Sequence, residues 1–252
     1  MVTQQTVLRI SADLKRLGVK PGDTLLVHSS LKSMGHVPGG AKTVIYGLLD
    51  AIGHEGTLLM PALTFMFVSP EQPLFDPDVT PSCVGAIPEF FRTMARTIRS
   101  IHPTHSVCGI GPRAAKMLGN HVVDTSPVGE YSPFRLLPLV GGKILMLGCG
   151  LEPNTSMHGV EELVRPPYLF LPEPVTYVIR HMSREYPVHH LRHGFEGYIQ
   201  RFDRLGSVME TGLSHGKVLE AQASLIDAAT MWETVERKLR QDAFAFVQKK
   251  AQ

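Results

Sequence analysis

A histidine followed by carboxylates at helical spacing is the feature of this sequence best suited to acid–base chemistry. His158 precedes Glu161 and Glu162 by three and four residues in the segment TSMHGVEE. Residues three and four apart lie on one face of a helix, so a carboxylate can reach the imidazole. An imidazole oriented by a carboxylate can take a proton from a substrate. The same spacing is also typical of an ordinary surface ion pair, and spacing alone does not separate the two.

The residues before His158 predict a strand, a sharp turn and the start of a helix. Ile144–Leu147 is a short apolar run that the glycines of the following GCG segment interrupt, which is typical of a buried strand. The next loop ends at Thr155 and Ser156, either of which could cap a helix. This arrangement places His158 in the first helical turn and Glu161 one turn further on. The sequence therefore predicts a base in the first turn of the helix of a strand–loop–helix unit.

Composition favours a globular α/β protein and gives no sign of a nucleic-acid or membrane partner. The chain has 252 residues, 43% of them hydrophobic, and a net charge of +2. It shows no polybasic block, no apolar run of membrane-spanning length and no signal-peptide pattern. No linker or internal repeat divides it, so one domain over residues 1–252 is predicted. Its three cysteines, Cys83, Cys108 and Cys149, have no metal-site spacing, which is typical of a reduced cytoplasmic protein without a structural metal.

Apolar periodicity predicts alternating helices and strands before the central segment. A helix over residues 3–18 precedes a strand at Thr24–Val27, which leads directly into His28-Ser29-Ser30-Leu31. Hydroxyls and amides at a strand end before a helix suit an anionic ligand. The loops do not match the dinucleotide or triphosphate glycine patterns. Further helices are predicted at 41–52, 84–97, 113–118, 134–139, 195–209 and 231–249, and further strands at 57–61, 169–171 and 175–179; residues 64–83 form a long loop.

Five segments in this order resemble the aminoglycoside 3-N-acetyltransferase family. They are HSSLKSMGHVPGG, GTLLMPALTF, RSIHPTHSVCGIGPRAAKML, SPFRLL and LGCGLEPNTSMHGVEE, and the likeness runs from Thr3 to near Val247. The resemblance implies a single mixed-sheet α/β domain flanked by helices, distinct from the common acetyltransferase superfold. It also implies acetyl-CoA as cosubstrate, no metal, and acetylation of the 3-amino group of 2-deoxystreptamine aminoglycosides. It leaves a homodimer open, and it leaves open a different amine, because the family also contains other N-acyltransferases.

Carried over by position, the resemblance assigns roles to individual residues. His158 becomes the general base of a direct transfer, Glu161 orients its imidazole, and Thr155 donates a hydrogen bond near the thioester or its oxyanion. Glu196 and Asp203 stay open as alternative orienting groups. The acceptor, as a polycation, would be held by carboxylates. The residues expected at CoA are Ser29, Ser30, Leu31, Gly35, Val37, Ser100, Ser106 and Val107, and those expected at the acceptor are Glu130, Glu162 and Asp203.

Other functions stay open at this stage. A metal-dependent hydrolase would use His102, His105, His158 and the histidines of the segment HHLRH at 189–193. A non-catalytic protein would keep the CoA loops without chemistry at His158. Cys149 could carry the acyl group, although a cysteine between glycines is usually a packing residue. Neighbouring strand residues face opposite sides, so the adjacent histidines of HHLRH cannot serve one site, and substitution of His105 or His193 is expected to leave most activity.

Overall fold

The computed structural model describes residues 1–250, and its strands and helices alternate along the chain. The strands are β1 (Thr24–Ser29), β2 (Thr57–Pro61), β3 (Leu74–Phe75), β4 (Ile98–Arg99), β5 (Val107–Ile110), β6 (Lys143–Leu147), β7 (Val175–His181), β8 (Arg184–His190), β9 (Tyr198–Gln200), β10 (Leu213–Val218), β11 (Ala221–Asp227) and β12 (Val247–Lys249). The helices are α1 (Gln4–Leu17), α2 (Gly40–Ile52), α3 (Ala86–Arg92), α4 (Ala114–Leu118), α5 (Pro133–Leu136), α6 (Ser156–Val164), α7 (Leu205–Val208) and α8 (Ala228–Gln241). Among these residues no helix is both long and apolar enough to cross a membrane.

Three parallel strands form the middle of a seven-stranded mixed sheet. Its order is β10-β11-β6-β1-β2-β5-β4, with β1 parallel to both β2 and β6 and the outer strands antiparallel. Leu26 of β1 pairs with Leu59 on one side and with Ile144 on the other. The continuous apolar runs of these strands fit their burial on both faces. The burial of these strands agrees with the apolar runs of the sequence, whereas their parallel order is seen only in the structure.

Helices cover both faces of this sheet. Leu25 and Val27 point to the core beneath α1, α2 and α3, whereas Leu26 points to the core beneath α4, α6 and α8. This alternation follows from the two-residue period of a strand. The fold class expected from the resemblance, a mixed sheet flanked by helices, is confirmed.

A smaller sheet stands beside the ends of the parallel strands. It has the order β3-β7-β8, with β3 parallel to β7 and β8 antiparallel to β7. The long loop at 64–83 contributes β3 to it, so this loop carries a short strand that its proline-rich composition did not indicate. On β8 the neighbouring residues His189 and His190 are exposed and buried respectively, as the period of a strand requires.

Several predicted boundaries differ from the structure. The long helix predicted at 195–209 is wrong: this segment contains β9, a single 3-10 turn and the short α7. The predicted helix at 231–249 begins earlier, at Ala228, and ends at Gln241, because the following residues form β12 and pair with β9. The strand predicted at 169–171 is reduced to one bridge between Phe170 and His193. For the two predicted helices, the pairing of β9 with β12 overrides local apolar spacing.

Candidate active site

A cavity of about 440 Å³ opens where the three parallel strands end. β1 contributes His28 and Ser29 to its wall, the end of β2 contributes Pro61 and Leu63, and the segment after β6 contributes Cys149. Open α/β sheets bind ligands beyond the carboxyl ends of their parallel strands. The other lining residues are Phe65 and Val68 of the long loop, Val84 just after it, Pro88 of α3, Thr104 and His105 between β4 and β5, Pro127 before α5, Glu152, Pro153, Thr155 and His158 before and at the start of α6, Tyr177 of β7, Leu191, Arg192, His193 and Phe195 after β8, and Phe202 of the 3-10 turn.

The turn after β6 brings α6 to this cavity. Gly148 and Gly150 have φ angles of 74° and 68°, a left-handed conformation that glycine adopts without steric cost. Asn154 then accepts a 3.2 Å hydrogen bond at its Oδ1 from the backbone nitrogen of Ser156. The predicted caps were Thr155 or Ser156, and Thr155 is the N-cap residue but makes no side-chain cap bond. His158 lies in the first turn of α6, as predicted.

His158, Glu161 and Tyr168 form a hydrogen-bonded chain that ends in the cavity. His158 Nδ1 lies 2.7 Å from Glu161 Oε2, and the Tyr168 hydroxyl donates to Glu161 Oε1 over 2.8 Å. The Glu161 side chain is 0% exposed and the His158 side chain 16% exposed. Burial, followed by the charge of Glu161, raises the pKa of Tyr168, so its hydroxyl stays protonated and donates. Glu161 thus holds the His158 ring in one orientation, with Nε2 on the free edge.

Two aromatic rings fix the plane of the His158 imidazole. Phe195 stacks on it with ring centroids 5.2 Å apart, and Phe202 contacts it edge-on at 5.0 Å. Both rings also line the cavity. Apolar contacts restrict the rotamer of the histidine and exclude water from one side of it. These aromatic residues come from the segment whose helix prediction was wrong.

A second imidazole–carboxylate pair stands next to the first. Glu162 Oε1 lies 2.8 Å from His193 Nε2, and the rings of His193 and His158 have centroids 4.9 Å apart. Glu162 also accepts hydrogen bonds from the Ser126 hydroxyl and from the backbone nitrogen of Val128. Burial raises the pKa of Glu162. The hydrogen bonds from these donors and from the imidazole offset the desolvation cost of the buried carboxylate. The consecutive acids of α6 therefore each hold one histidine.

Buried histidines continue from His193 into the protein. Ring centroids are 5.8 Å apart for His193 and His105, 5.9 Å for His105 and His102, and 4.8 Å for His102 and His121. Burial lowers the pKa of each of these rings well below its ordinary value, to about 3 for His121. They are consequently neutral at pH 7. The histidines form a row rather than one centre, and within residues 1–250 no group of three or more His, Cys, Asp or Glu side chains is placed to hold a metal ion.

Only part of the predicted CoA set lies on the cavity wall. Ser29 does, and its hydroxyl is buried without a hydrogen-bond partner among the described residues. Ser30 follows it, with its hydroxyl 3.0 Å from that of Ser33. Ser100 and Ser106 are buried elsewhere: the Ser100 hydroxyl accepts from the backbone nitrogen of Val107, and the Ser106 hydroxyl donates to a backbone carbonyl of Ala62. Val107 is buried in β5, and Leu31, Gly35 and Val37 belong to the segment between β1 and α2; all four lie outside the lining.

The carboxylates predicted at the acceptor are not gathered at the cavity. Glu130 is exposed and absent from the wall, Asp203 pairs with Arg201 at 2.7 Å, and Glu162 lies behind His193. Asp203 and the exposed Glu196 make no bond to His158, whose carboxylate partner is Glu161. Within the described part of the chain, Glu152 is the one carboxylate residue that lines the cavity, and Arg192 is the one lysine or arginine.

Sequence reasoning missed two members of the site. Tyr168 lies seven residues after Glu161, beyond the two prolines that follow α6, and His193 reaches Glu162 from the segment after β8. The helix ends at Val164, so the contact of Tyr168 does not come from helical spacing, and His193 is 31 residues from Glu162. The local signal for Tyr168 was only a tyrosine after two prolines, and His193 was one of several histidines in HHLRH. Their roles follow from tertiary packing.

The chain matches a known protein family over most of its length. The family model for aminoglycoside 3-N-acetyltransferase matches residues 26–240. Aminoglycoside N(3)-acetyltransferase IX of Micromonospora chalcea is 34% identical over 172 residues, which are 62% of this chain and 61% of that protein. The chain therefore aligns with less than two thirds of that relative's length.

Two solved structures resemble nearly the whole chain. One is AAC-IIIb in binary complex with CoASH, with 26% identity, a TM-score of 0.82, and coverage of 92% of this chain and 95% of that one. The other is AAC-VIa bound to sisomicin, with 26% identity, a TM-score of 0.84, and coverage of 93% and 97%.

Proposed function

The chain belongs to the aminoglycoside 3-N-acetyltransferase family, and we propose that it transfers the acetyl group of acetyl-CoA to an amine. The observation that carries this proposal is the chain of Tyr168, Glu161 and His158 at the cavity. Its geometry leaves one imidazole nitrogen, Nε2 of His158, free to meet a substrate. Acetyl transfer from a thioester to an amine requires such a base, because a protonated amine cannot attack a carbonyl.

The proposed transfer is direct. A substrate that arrives as an ammonium ion first loses one proton to solvent through His158. The neutral amine nitrogen then attacks the carbonyl carbon of the acetyl thioester, and His158 Nε2 takes the proton that this nitrogen loses as the carbon–nitrogen bond forms. The carbon–sulfur bond breaks, and the CoA sulfur leaves with the proton that the imidazolium returns. Glu161 lies 2.7 Å from Nδ1 of His158, so its negative charge stabilises the imidazolium between these steps. Thr155 lines the same cavity, where its hydroxyl could donate to the oxygen that becomes negative during attack.

The environment of Cys149 favours direct transfer over an acyl-cysteine intermediate. Burial raises the pKa of this thiol to about 11. The thiolate is the reactive form of cysteine, so at neutral pH almost none of Cys149 is nucleophilic. Its sulfur makes one hydrogen bond among the described residues, to the carbonyl of Gly150 at 3.8 Å, and no histidine is bonded to it. Cys149 therefore serves as part of the wall.

The carboxyl end of β1 offers polar atoms for the acyl-CoA. His28 Nε2 and Ser29 Oγ are buried and unpaired within residues 1–250, and both residues line the cavity. Burial lowers the pKa of His28 to about 3, so its ring is neutral and adds no charge. Buried polar groups without a partner are rare in native proteins and suggest a missing ligand or water. We assign this wall to the thioester end of acetyl-CoA, with the Ser30–Gly40 segment beyond it toward the diphosphate.

The proposed acceptor is the 3-amino group of the 2-deoxystreptamine ring of an aminoglycoside. Family membership supports this assignment, as does the solved AAC-VIa structure named as bound to sisomicin. The carboxylate of Glu152 on the cavity wall would attract a second ammonium group of the aminoglycoside.

A different amine is the second candidate acceptor, and the charge of the cavity favours it. The wall carries Glu152 against Arg192, and most other lining side chains are apolar or aromatic. A polycation gains little Coulomb energy from a wall with one acid and one base. An amine with a single positive charge and an apolar body would fit this lining.

Acetylation of sisomicin tests the two candidates together. The protein is incubated with acetyl-CoA and sisomicin, thiol release is followed, and the product is assigned by mass spectrometry and NMR. Sisomicin already acetylated at the 3-amino group is the matched control and should give no thiol release. A mono-acetylated product at the 3-amino group supports the first candidate. Turnover of monocationic amines without sisomicin turnover supports the second, and no turnover with any amine contradicts acetyl transfer.

A further inference from the structure

His193 occupies the cavity wall in a way that the mechanism above does not use. Its side chain is 6% exposed, and its ring lies between His158, at 4.9 Å, and His105, at 5.8 Å. Nε2 is bonded to Glu162 at 2.8 Å, whereas Nδ1 has no hydrogen-bond partner among the described residues. The position of His193 is therefore a reason to test the prediction that its substitution leaves most activity.

The contacts of Glu162 determine which His193 nitrogen carries the proton. Glu162 accepts at 2.7 Å from the backbone nitrogen of Val128 and also from the Ser126 hydroxyl, so its oxygens act as acceptors. His193 Nε2 must then be the donor, since an unprotonated nitrogen would face a carboxylate lone pair. Burial and the nearby His158 lower the pKa of His193, so the ring is neutral at pH 7. A neutral ring with its proton on Nε2 has its lone pair on Nδ1.

We propose that His193 binds the acyl acceptor: Nδ1 accepts a hydrogen bond from an ammonium or hydroxyl group of the amine, while Glu162 positions the ring from behind. This inference rests on the proposed acetyl transfer. On this proposal Glu162, although buried and off the wall, acts on the acyl acceptor through His193. It also separates the two acids of α6: Glu161 serves the base, and Glu162 serves the residue that holds the substrate. His193 Nδ1 would be a second hydrogen-bond acceptor near His158, which suits an amine substrate with several hydrogen-bond donors.

Two substitutions of His193 separate substrate binding from a structural role. In His193→Gln the amide can still donate to Glu162, but the acceptor at the Nδ1 position is lost. In His193→Asn an amide oxygen can stand near the Nδ1 position, but the bond to Glu162 is lost. With sisomicin as acceptor, His193→Gln should raise the KM for sisomicin about tenfold or more. His193→Asn should stay within about threefold of wild type, and the KM for acetyl-CoA should be unchanged in both.

The exposed His189, one strand position away from His190 and bonded at 2.9 Å to Thr176, gives the matched control. His189→Gln should leave both KM values unchanged. A purely structural role for His193 predicts the reverse order, with His193→Asn impaired and His193→Gln normal. Wild-type kinetics in His193→Gln, or equal loss in both variants, overturns the inference while the acetyl-transfer proposal stands.

A measurement without substrate keeps the inference testable if sisomicin is not acetylated. Nitrogen-15 NMR at pH 7, assigned by comparison with His193→Gln, reports which ring nitrogen carries the proton. A neutral ring protonated on Nε2 supports the inference. A proton on Nδ1, or an imidazolium at that pH, overturns it, because no lone pair would then face the acceptor. Failure of the proposed function would instead appear as absence of turnover with every amine.

Discussion

Lowering the pH from 8 to 5 should sharply destabilise this protein, because its buried histidines are neutral. Burial lowers the pKa of His28 and His121 to about 3, and that of His190 to about 4. In the unfolded chain each returns to 6.5. The unfolded state therefore binds more protons below pH 6.5. The stabilisation is fully present above pH 6.5 and is lost as the pH falls toward the folded-state values.

The size of the effect follows from these values. At pH 5 each of the three histidines costs about 2 kcal/mol, at about 1.4 kcal/mol per pH unit below 6.5. Asp124 acts in the opposite direction, because burial raises its pKa from 3.8 to about 6. Its protonation increases the free energy of unfolding by about 1.4 kcal/mol at pH 5 relative to pH 8. The net loss is about 5 kcal/mol, comparable to the whole stability of a marginal domain. The lowered pKa values of His102, His105 and His193 add in the same direction.

Urea unfolding followed by circular dichroism at pH 8, 7, 6 and 5 measures this loss. The variant His121→Asn keeps an amide near the position of Nδ1, which lies 2.8 Å from the Ser100 hydroxyl, and removes one titrating ring. Its stability should fall by about 2 kcal/mol less than that of wild type between pH 8 and 5. The exposed His54, paired only with Glu55, gives the control His54→Gln, which should follow wild type. A free energy of unfolding that is flat or rises between pH 7 and 5 would refute the reasoning.

Three further predictions concern the site. Cys149→Ala should keep most of its turnover, because a thiol with a pKa near 11 is not the nucleophile; loss of activity together with trapping of an acetylated cysteine by mass spectrometry would instead establish an acyl-enzyme. Tyr168→Phe should lower kcat less than Glu161→Gln does, since it removes one hydrogen bond to Glu161 and leaves the carboxylate on His158; steady-state kinetics of the pair checks the order, and the reverse order contradicts it. Ser30→Glu should raise the KM for acetyl-CoA through repulsion of the diphosphate, with Ser30→Ala as the uncharged control; equal values in both variants would remove this segment from the CoA site.

The parts of the fold that were predictable are those with local signals. β1, β2 and β6 are uninterrupted apolar runs, and α6 follows glycines that allow the required turn, so periodicity and turn chemistry suffice for them. The pairing of His158 with Glu161 belongs to the same class, because it depends only on helical spacing. These elements carry His158, the proposed base, and the adjoining edge of the sheet.

The parts that were not predictable depend on distant pairings. The segment 195–209 has apolar residues at helical spacing, but its first part pairs with β12 across some fifty residues of sequence, from Tyr198 to Lys249. His193 meets Glu162 from the segment after β8, Ser100 bonds to Val107 of β5, and Ser106 bonds to Ala62 after β2. Composition and spacing carry no information about such contacts. The cavity lining contributed by these segments could therefore not be predicted from the sequence.

The central claim is that His158 is the base, and the single-turnover rate of His158→Ala tests it most directly. The measurement is made at pH 7 with saturating acetyl-CoA and sisomicin, or with the amine that the wild type acetylates, and CoA affinity is measured on the same preparation. We predict a rate lower by about 10²–10⁴-fold with unchanged CoA affinity, the usual cost of removing a positioned base. A rate close to that of wild type would contradict the account and place the base elsewhere.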